Sequence, residues 1–456
     1  MRNPVQALFF GWTSQLTRYF PRTGARLLDF FIRPIAGSRL LSVLFSGMNR
    51  KRLGKVRSFR RILVHPDIHI GDAIMAQSVV TALRDCFPDA EVDLVVNRSV
   101  SPLIEGNPEI NRMFPIYSGG SFPPESELEA VGRLMGERKY DLCINISPFL
   151  AGNKLAKKIQ PVFDFMSHAP TITRNESTTS QINHIVFQYQ KFIYGIFEHM
   201  AQPRRETPFH GVTVRLSDFA FEEADRFLTG FGAGGPLAMM NADTASPYTR
   251  IPFPNQVELV TSLLQKNISI LIGAGHTEAG IGKRLIEAIP TDLRHRVRLV
   301  PAETSLETFS ALGDRCDLFI TGDTGPMHIA AARKVSRSGK YQLRNRTAVL
   351  CLFGATPARL SGYDSFQPGY FPANQDAPSW TVVAESPCRN ITCVNKLFKT
   401  CEIPRCFEKL DVEKVGELLT SHLTERLGST VPFMRQEISG QIDGGSDHAT
   451  DFTQDR

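Results

Sequence analysis

The 456-residue chain has no stretch of about eighteen uninterrupted apolar residues. Its first thirty residues contain no compact apolar segment ending in a small-residue cleavage site. Neither a membrane-spanning helix nor a secretory signal is expected, and the chain is read as cytoplasmic. Also missing are a P-loop, the Gly-x-Ser-x-Gly elbow and the His-Glu-x-x-His pair, which removes three common routes to nucleotide hydrolysis, acyl transfer and zinc-dependent proteolysis. No internal repeat at solenoid periods occurs. What is present is ordinary for a folded protein: 42% hydrophobic, 9% aromatic and 21% charged residues. A disordered or fibrous chain does not fit, and the length implies two or three domains. In a reducing compartment the eight cysteines are expected to be thiols.

Acidic residues are nearly absent from one end. Residues 1–61 hold thirteen Lys and Arg against a single acid, Asp29, so the formal +6 of the whole chain divides into +12 there and −6 elsewhere. The basic pI is therefore no sign of a nucleic-acid-binding core, and nucleic acid is not an expected partner. Within residues 1–60, Leu8, Phe9, Trp12, Leu16, Tyr19 and Phe20 recur at helical spacing, and seven cations crowd residues 49–61. An amphipathic, basic extension of this kind suits an anionic membrane surface, so peripheral association with the inner face of the cytoplasmic membrane is expected. A helical arm packed on the protein's own body is the alternative.

From Arg61 onward, short apolar runs alternate with helical stretches, the pattern of βαβ units around parallel sheets. Strands are predicted at 61–65, 91–96, 141–146, 237–241, 268–272, 297–300, 318–321 and 347–353. Helices are predicted at 72–87, 253–266, 277–288, 305–314 and 326–333. Gly230-Phe-Gly-Ala-Gly-Gly-Pro236 reads as a linker. The expected architecture is α/β, with two doubly wound, Rossmann-like domains facing a cleft: residues 61–229, then 230–427, followed by a disordered tail at 428–456. The polar, basic stretch 333–346 reads as a surface loop. Ligands of such sheets sit beyond the strands' carboxyl ends, which directs attention to the loops at 66–72, 241–250, 273–278 and 321–328.

Two of these loops carry chemistry. In Ile68-His-Ile-Gly-Asp72, Gly71 lets the backbone turn, and Asp72 stands at a helix start as either a cap or a general base on a hydroxyl in the cleft. In Thr321-Gly-Asp-Thr-Gly-Pro-Met-His328, a Gly-rich turn enters a helix with Pro326 in its first turn. Free N–H groups there, with the Thr324 hydroxyl and the close approach allowed by Gly325, favour an anion, while Asp323 is expected to organise the turn. The same stretch is also ordinary strand–turn–helix chemistry. Gly273-Ala-Gly-His-Thr-Glu-Ala-Gly280 misses the dinucleotide fingerprint because Glu278 holds the third glycine position. Glu278 is either an acceptor for a ribose or amino group or a solvated acid. Cys388, Cys393, Cys401 and Cys406 form two C-x4-C pairs, candidates for structural zinc or a metal-free thiol cluster.

Taken together, in order and at these separations, the loops resemble glycosyltransferase family 9, the ADP-heptose:lipopolysaccharide heptosyltransferases. The resemblance spans roughly residues 61–425. It rests on the segment from Arg61 to Asp72, Phe87-Pro-Asp-Ala-Glu91, Leu103-Ile-Glu-Gly-Asn-Pro108, Gly322-Asp-Thr-Gly-Pro-Met-His328 and Leu352-Phe-Gly-Ala-Thr-Pro-Ala-Arg359. It implies a GT-B fold and an inverting transfer of heptose from ADP-heptose to a lipopolysaccharide core-type, lipid-linked acceptor, with no cofactor required and no obligatory catalytic metal. Asp72 is implied as general base, with Gly71, His69 and His65 on the acceptor side. Thr324, Gly325, Pro326, Met327, His328, Asp323, Glu278, Arg250 and Thr249 are implied on the donor side. Two family cations are replaced, one at Pro66 beside His65 and one at Thr249 beside Arg250. The alternatives are the same fold with another nucleotide sugar, or a membrane-docked binding protein with a degenerate cleft. The leader and the basic insertion 333–346 are read as aids to holding an anionic acceptor.

Overall fold

The computed structural model describes residues 56, 58–65, 69–116, 125–146, 163–166, 184–197, 211–231, 235–244, 246, 248–275, 280–354, 356–384, 406–407 and 409–428. The readings made for the basic leader, Pro66, Glu278, Cys388, Cys393, Cys401 and the tail beyond Gly428 lie outside the described residues.

Five strands form the first sheet: β1 (Arg61–His65), β2 (Glu91–Asn97), β3 (Arg112–Ile116), β4 (Leu142–Asn145) and β5 (Phe163–Met166). All neighbours are parallel, in the order β3-β2-β1-β4-β5. Ile62, Leu63 and Val64 of β1 are wholly buried, as a continuous apolar run must be when helices cover both faces of a sheet. The first-half helices are α1 (Ile70–Met75), α2 (Gln77–Cys86), α3 (Ser101–Ile104), α4 (Glu125–Gly136) and α5 (Ile185–Phe197). The single helix expected over 72–87 is two, starting at Ile70 and broken at Ala76. Ser78 Oγ turns back to donate to the Met75 carbonyl at 2.8 Å, and Gln77 Nε2 donates to the Thr213 carbonyl at 2.7 Å, side-chain bonds that compete with a continuous helical ladder. Phe59, Phe87 and Phe197 meet edge to face, with centroids 4.8 to 5.9 Å apart, and seat α5 beside α2.

After β6 (Thr213–Leu216) and α6 (Asp218–Leu228), the second sheet takes β7 (Leu237–Asn241), β8 (Ser269–Gly273), β9 (Val297–Val300) and β10 (Leu318–Gly322). The intervening helices are α7 (Phe253–Gln265), α8 (Ile281–Ala288), α9 (Leu306–Arg315) and α10 (Gly325–Ala331). There follow β11 (Arg333–Ser336), β12 (Ala348–Phe353), α11 (Ala358–Ser361), β13 (Ser379–Val383) and α12 (Val412–Gly428). The order is β13-β12-β10-β7-β8-β9, again all parallel. Ser305 caps α9, its Oγ accepting from the Thr308 N–H at 3.0 Å. Cys86, Cys143, Cys316, Cys351 and Cys406 are buried, unbridged thiols. Among the described residues no helix is long and apolar enough to cross a membrane.

The reading of 333–346 as a surface loop is corrected. Its first four residues are β11, which pairs in parallel with β6 and so joins the two halves of the chain. Lys334 is 2% exposed. Asn345 holds both backbone groups of Lys334, accepting from its N–H at 2.7 Å and donating to its carbonyl at 2.9 Å. The insertion's cations face carboxylates: Arg337 pairs with Glu105 of the first half at 2.7 Å and with Glu307 of the second, Arg344 with Asp317 at 2.7 Å, and Arg333 with Asp376 at 3.1 Å. The Tyr341 ring stacks on Phe221, with centroids 4.9 Å apart. Positive charge that looked available for an anionic acceptor is largely neutralised within the fold.

Candidate functional site

Each sheet reverses its strand order once, at β1/β4 in the first and at β7/β10 in the second. Crevices open at such points beyond the carboxyl ends of the strands. At the first, His65 is in register with Asn145 and both are buried. The chain then reaches His69 and α1. His69 occupies the N-cap of α1 and its side chain makes no cap bond; Asp72 lies in the first turn, three residues after the N-cap. The Asp72 carboxylate remains one-third exposed, with Oδ2 3.9 Å from His69 Nδ1.

At the second crevice, Asn241 ends β7 and Thr324 stands at the N-cap position of α10, its side chain making no cap bond. Asn241 Nδ2 donates to Thr324 Oγ1 at 3.3 Å and to the Asp243 carbonyl at 2.9 Å, and Thr321 Oγ1 lies 3.1 Å from Thr324 Oγ1. Asp323 accepts from Ser361 Oγ at 3.3 Å. Pro326 lies in the first turn of α10, as its missing N–H permits. The Met327 side chain is fully buried and its N–H is bonded to the Thr324 carbonyl at 3.0 Å. A shallow recess is lined by Asp243, Thr244, Thr249, Arg250 and Thr324 among others. Thr249 is buried, its hydroxyl 3.1 Å from that of Thr244. Arg250 donates to the buried Asp243 carboxylate at 3.2 Å and to the Thr244 carbonyl at 3.1 Å, so its guanidinium is held at the recess by an internal counter-charge.

The two crevices meet through α1 and α10. A Cβ built on Gly71 would lie 2.4 Å from His328 Cδ2, and one built on Gly325 would lie 2.7 Å from Ile70 Cβ. Only glycine at both places lets the two helix starts touch. His328 is buried beneath this contact, its Nδ1 2.9 Å from the Tyr363 hydroxyl. Burial pushes the His328 pKa down to about 4, against an opposing pull from Asp323. His184 lies beside Tyr363, with centroids 5.1 Å apart, and burial pushes it down to about 3, the neighbouring His328 adding to the effect. Both rings are neutral near pH 7.

The glycosyltransferase family 9 (heptosyltransferase) model matches residues 188–339. The chain is a relative of the family 9 glycosyltransferases. As in the sequence-based reading, it is a heptosyltransferase-like glycosyltransferase. It is 22% identical over 286 residues to lipopolysaccharide heptosyltransferase 2 of Salmonella typhimurium, covering 60% of this chain and 80% of that protein. It is 23% identical over 292 residues to lipopolysaccharide heptosyltransferase 2 of Escherichia coli K12, with the same coverages. The fold is that of a family 9 glycosyltransferase from Veillonella parvula, with a TM-score of 0.60, 19% identity, and coverage of 80% of this chain and 98% of that one. E. coli ADP-heptose lps heptosyltransferase II matches with a TM-score of 0.56 and 18% identity, covering 80% and 99%.

In this family 9 relative, the sequence-predicted Asp72, Gly71, His69, Asp323, Thr324, Gly325, Pro326 and His328 come together on adjoining helix starts. Thr249 and Arg250 line the neighbouring recess, and His65 is enclosed in the sheet. Of the four cluster cysteines only Cys406 is described, and it is buried. Asn241, Asp243, Tyr363 and His184 were not read from the sequence. Asn241 and Asp243 lie in the loop already marked after β7, whereas no local signal places Tyr363 and His184 beneath α10.

Proposed function

We propose that this glycosyltransferase transfers heptose from ADP-heptose to a lipopolysaccharide core-type acceptor with inversion at the anomeric carbon. The observation that carries the reading is the abutment of the Asp72 helix start on the start of α10, which sets a carboxylate next to the turn expected to take the donor diphosphate. Asp72 removes the proton from the acceptor hydroxyl as its oxygen attacks the anomeric carbon from the face opposite the diphosphate. The bond to the diphosphate breaks and ADP leaves with the electron pair. Charge grows on the departing phosphate, so groups fixed beside it stabilise the transition state more than the ground state. Thr324 and the backbone at Gly325 are assigned to that phosphate, with Arg250 as the nearby cation.

The names of the curated relatives support the sugar and the acceptor class; the family match over residues 188–339 takes in Thr249, Arg250 and the 321–328 turn, and the role of Asp72 rests on the resemblance of the 61–72 segment. The basic leader is assigned to an anionic membrane surface; flotation with anionic but not neutral liposomes is the expected result. Titration calorimetry with ADP, UDP, GDP and a non-transferable ADP-heptose analogue tests the donor. Selective binding of ADP, tightened by the heptose, is expected. Preference for UDP or GDP would assign another nucleotide sugar, and no binding to any would favour a degenerate cleft.

A further inference from the structure

We propose that His328 is a positioning residue that sets the Asp72 loop against the donor half, and that it is not a ligand of the donor. The inference rests on the reading of Asp72 as general base. The ring of His328 fills the space that a side chain at position 71 would need, with Cδ2 2.4 Å and Nε2 2.8 Å from the place of a Cβ there. Position 71 is the residue before the base, so the ring's thickness fixes how far the Asp72 backbone stands from α10.

The ring cannot easily give way. Its Nδ1 is 2.9 Å from the hydroxyl of Tyr363 and the two rings meet edge to face at 5.7 Å. Tyr363 is itself 1% exposed and flanked by His184 and by Phe371, whose centroid lies 6.3 Å away. A second stop lies alongside, where Ile70 Cβ lies 2.7 Å from the place of a Cβ on Gly325. His328 is only 5% exposed, so most of its surface is committed to this joint and little is left for a ligand.

A methyl added at position 71 must move by about 1 Å or more to reach ordinary contact. Displacement of a reacting group by that much costs on the order of 100-fold in rate.

The test is a double-mutant cycle, Gly71→Ala and His328→Ala, singly and together. Turnover is measured with ADP-heptose and a deacylated lipopolysaccharide core fragment, ADP affinity by calorimetry, and folding by thermal unfolding. Gly71→Ala should lose about 100-fold in kcat, and His328→Ala about 10-fold, each with ADP affinity within about twofold of the parent. The double variant should regain at least about 10-fold in kcat over Gly71→Ala, because the added methyl then has room.

Loss of ADP affinity in His328→Ala as large as its loss of kcat would make His328 a donor ligand and overturn the proposal. So would a double variant no faster than Gly71→Ala. Should His328→Ala fail to fold, Tyr363→Phe removes only the hydroxyl and must lower kcat several-fold at unchanged ADP affinity; unchanged kcat would overturn the proposal. Asp72→Asn is run in parallel. Full turnover in that variant would refute the reading of Asp72 itself, an outcome distinct from failure of the His328 cycle.

Discussion

Replacing Lys334 with Met removes a titratable amine from inside the β6–β11 joint. The side chain is almost wholly buried, and its Nζ donates to the Ala330 carbonyl at 2.7 Å. Burial lowers its pKa from 10.5 to about 7, with Asp314 pulling the other way. Between those two values the unfolded chain binds more protons than the folded one, so stability rises with pH across the window. At about 1.4 kcal/mol per unit, and with the amine half-titrated at each end of the window, the cost at pH 7 relative to pH 10.5 is about 4 kcal/mol. Met keeps the length of the side chain and loses one hydrogen bond, worth about 1 kcal/mol. No partner is orphaned. The Ala330 carbonyl still accepts from Gln375 Nε2 at 3.0 Å, and Asp314 keeps the N–H groups of Asn345 at 2.8 Å and Arg344 at 3.0 Å. Lys334→Met should therefore be the more stable protein at pH 7, by about 3 kcal/mol, with the advantage shrinking towards pH 10. Urea unfolding of both proteins at pH 7, 8.5 and 10 measures this. A Met variant that is less stable at pH 7, or a difference that does not change with pH, would refute the reasoning.

Three further outcomes are expected. Gly325→Ala places a methyl 2.7 Å from Ile70 Cβ. Overpacking of this kind costs about 1 to 3 kcal/mol against at most about 1 kcal/mol gained in helix propensity, so its melting temperature should fall, and an unchanged value would show that the two helices separate freely. His184 and His328, at about 3 and about 4 in the folded protein, are protonated at higher pH in the unfolded chain. Stability should thus be complete above pH 6.5 and fall as pH drops towards 4, by about 2 kcal/mol per ring at pH 5; thermal melts flat between pH 7 and pH 5 would contradict this. Arg250→Ala should weaken ADP binding by about 10- to 100-fold, the worth of a charge-assisted contact, and calorimetry showing unchanged affinity would remove Arg250 from the donor site.

Apolar patterning made β1, β2, β4, β7 to β10 and β12 legible, because each is a short, largely apolar run bounded by turn chemistry. It missed β3, in which Pro115 and exposed Arg112 disguise an edge strand, the strands β5, β6 and β13, and β11, in which cations mask a pairing that β6 provides from more than a hundred residues away. The break at Ala76 depends on a carbonyl of β6 and was equally invisible. At the site, glycine, aspartate and proline announced the two turns, since their backbone and capping chemistry is local. That Gly71 and Gly325 are needed for contact between the halves, and that Tyr363 and His184 support His328 from below, are facts of packing between distant segments. A single sequence carries no spacing that reports them.

In the proposed reaction Asp72 deprotonates an acceptor while the α10 start holds the donor. This is tested most directly by single-turnover transfer from ADP-heptose to a deacylated core acceptor, comparing the parent protein with Asp72→Asn and measuring ADP affinity of both. Transfer should fall by at least about 100-fold, the range of a general base, with ADP affinity unchanged. Transfer at the parent rate in Asp72→Asn would contradict the proposed role of Asp72.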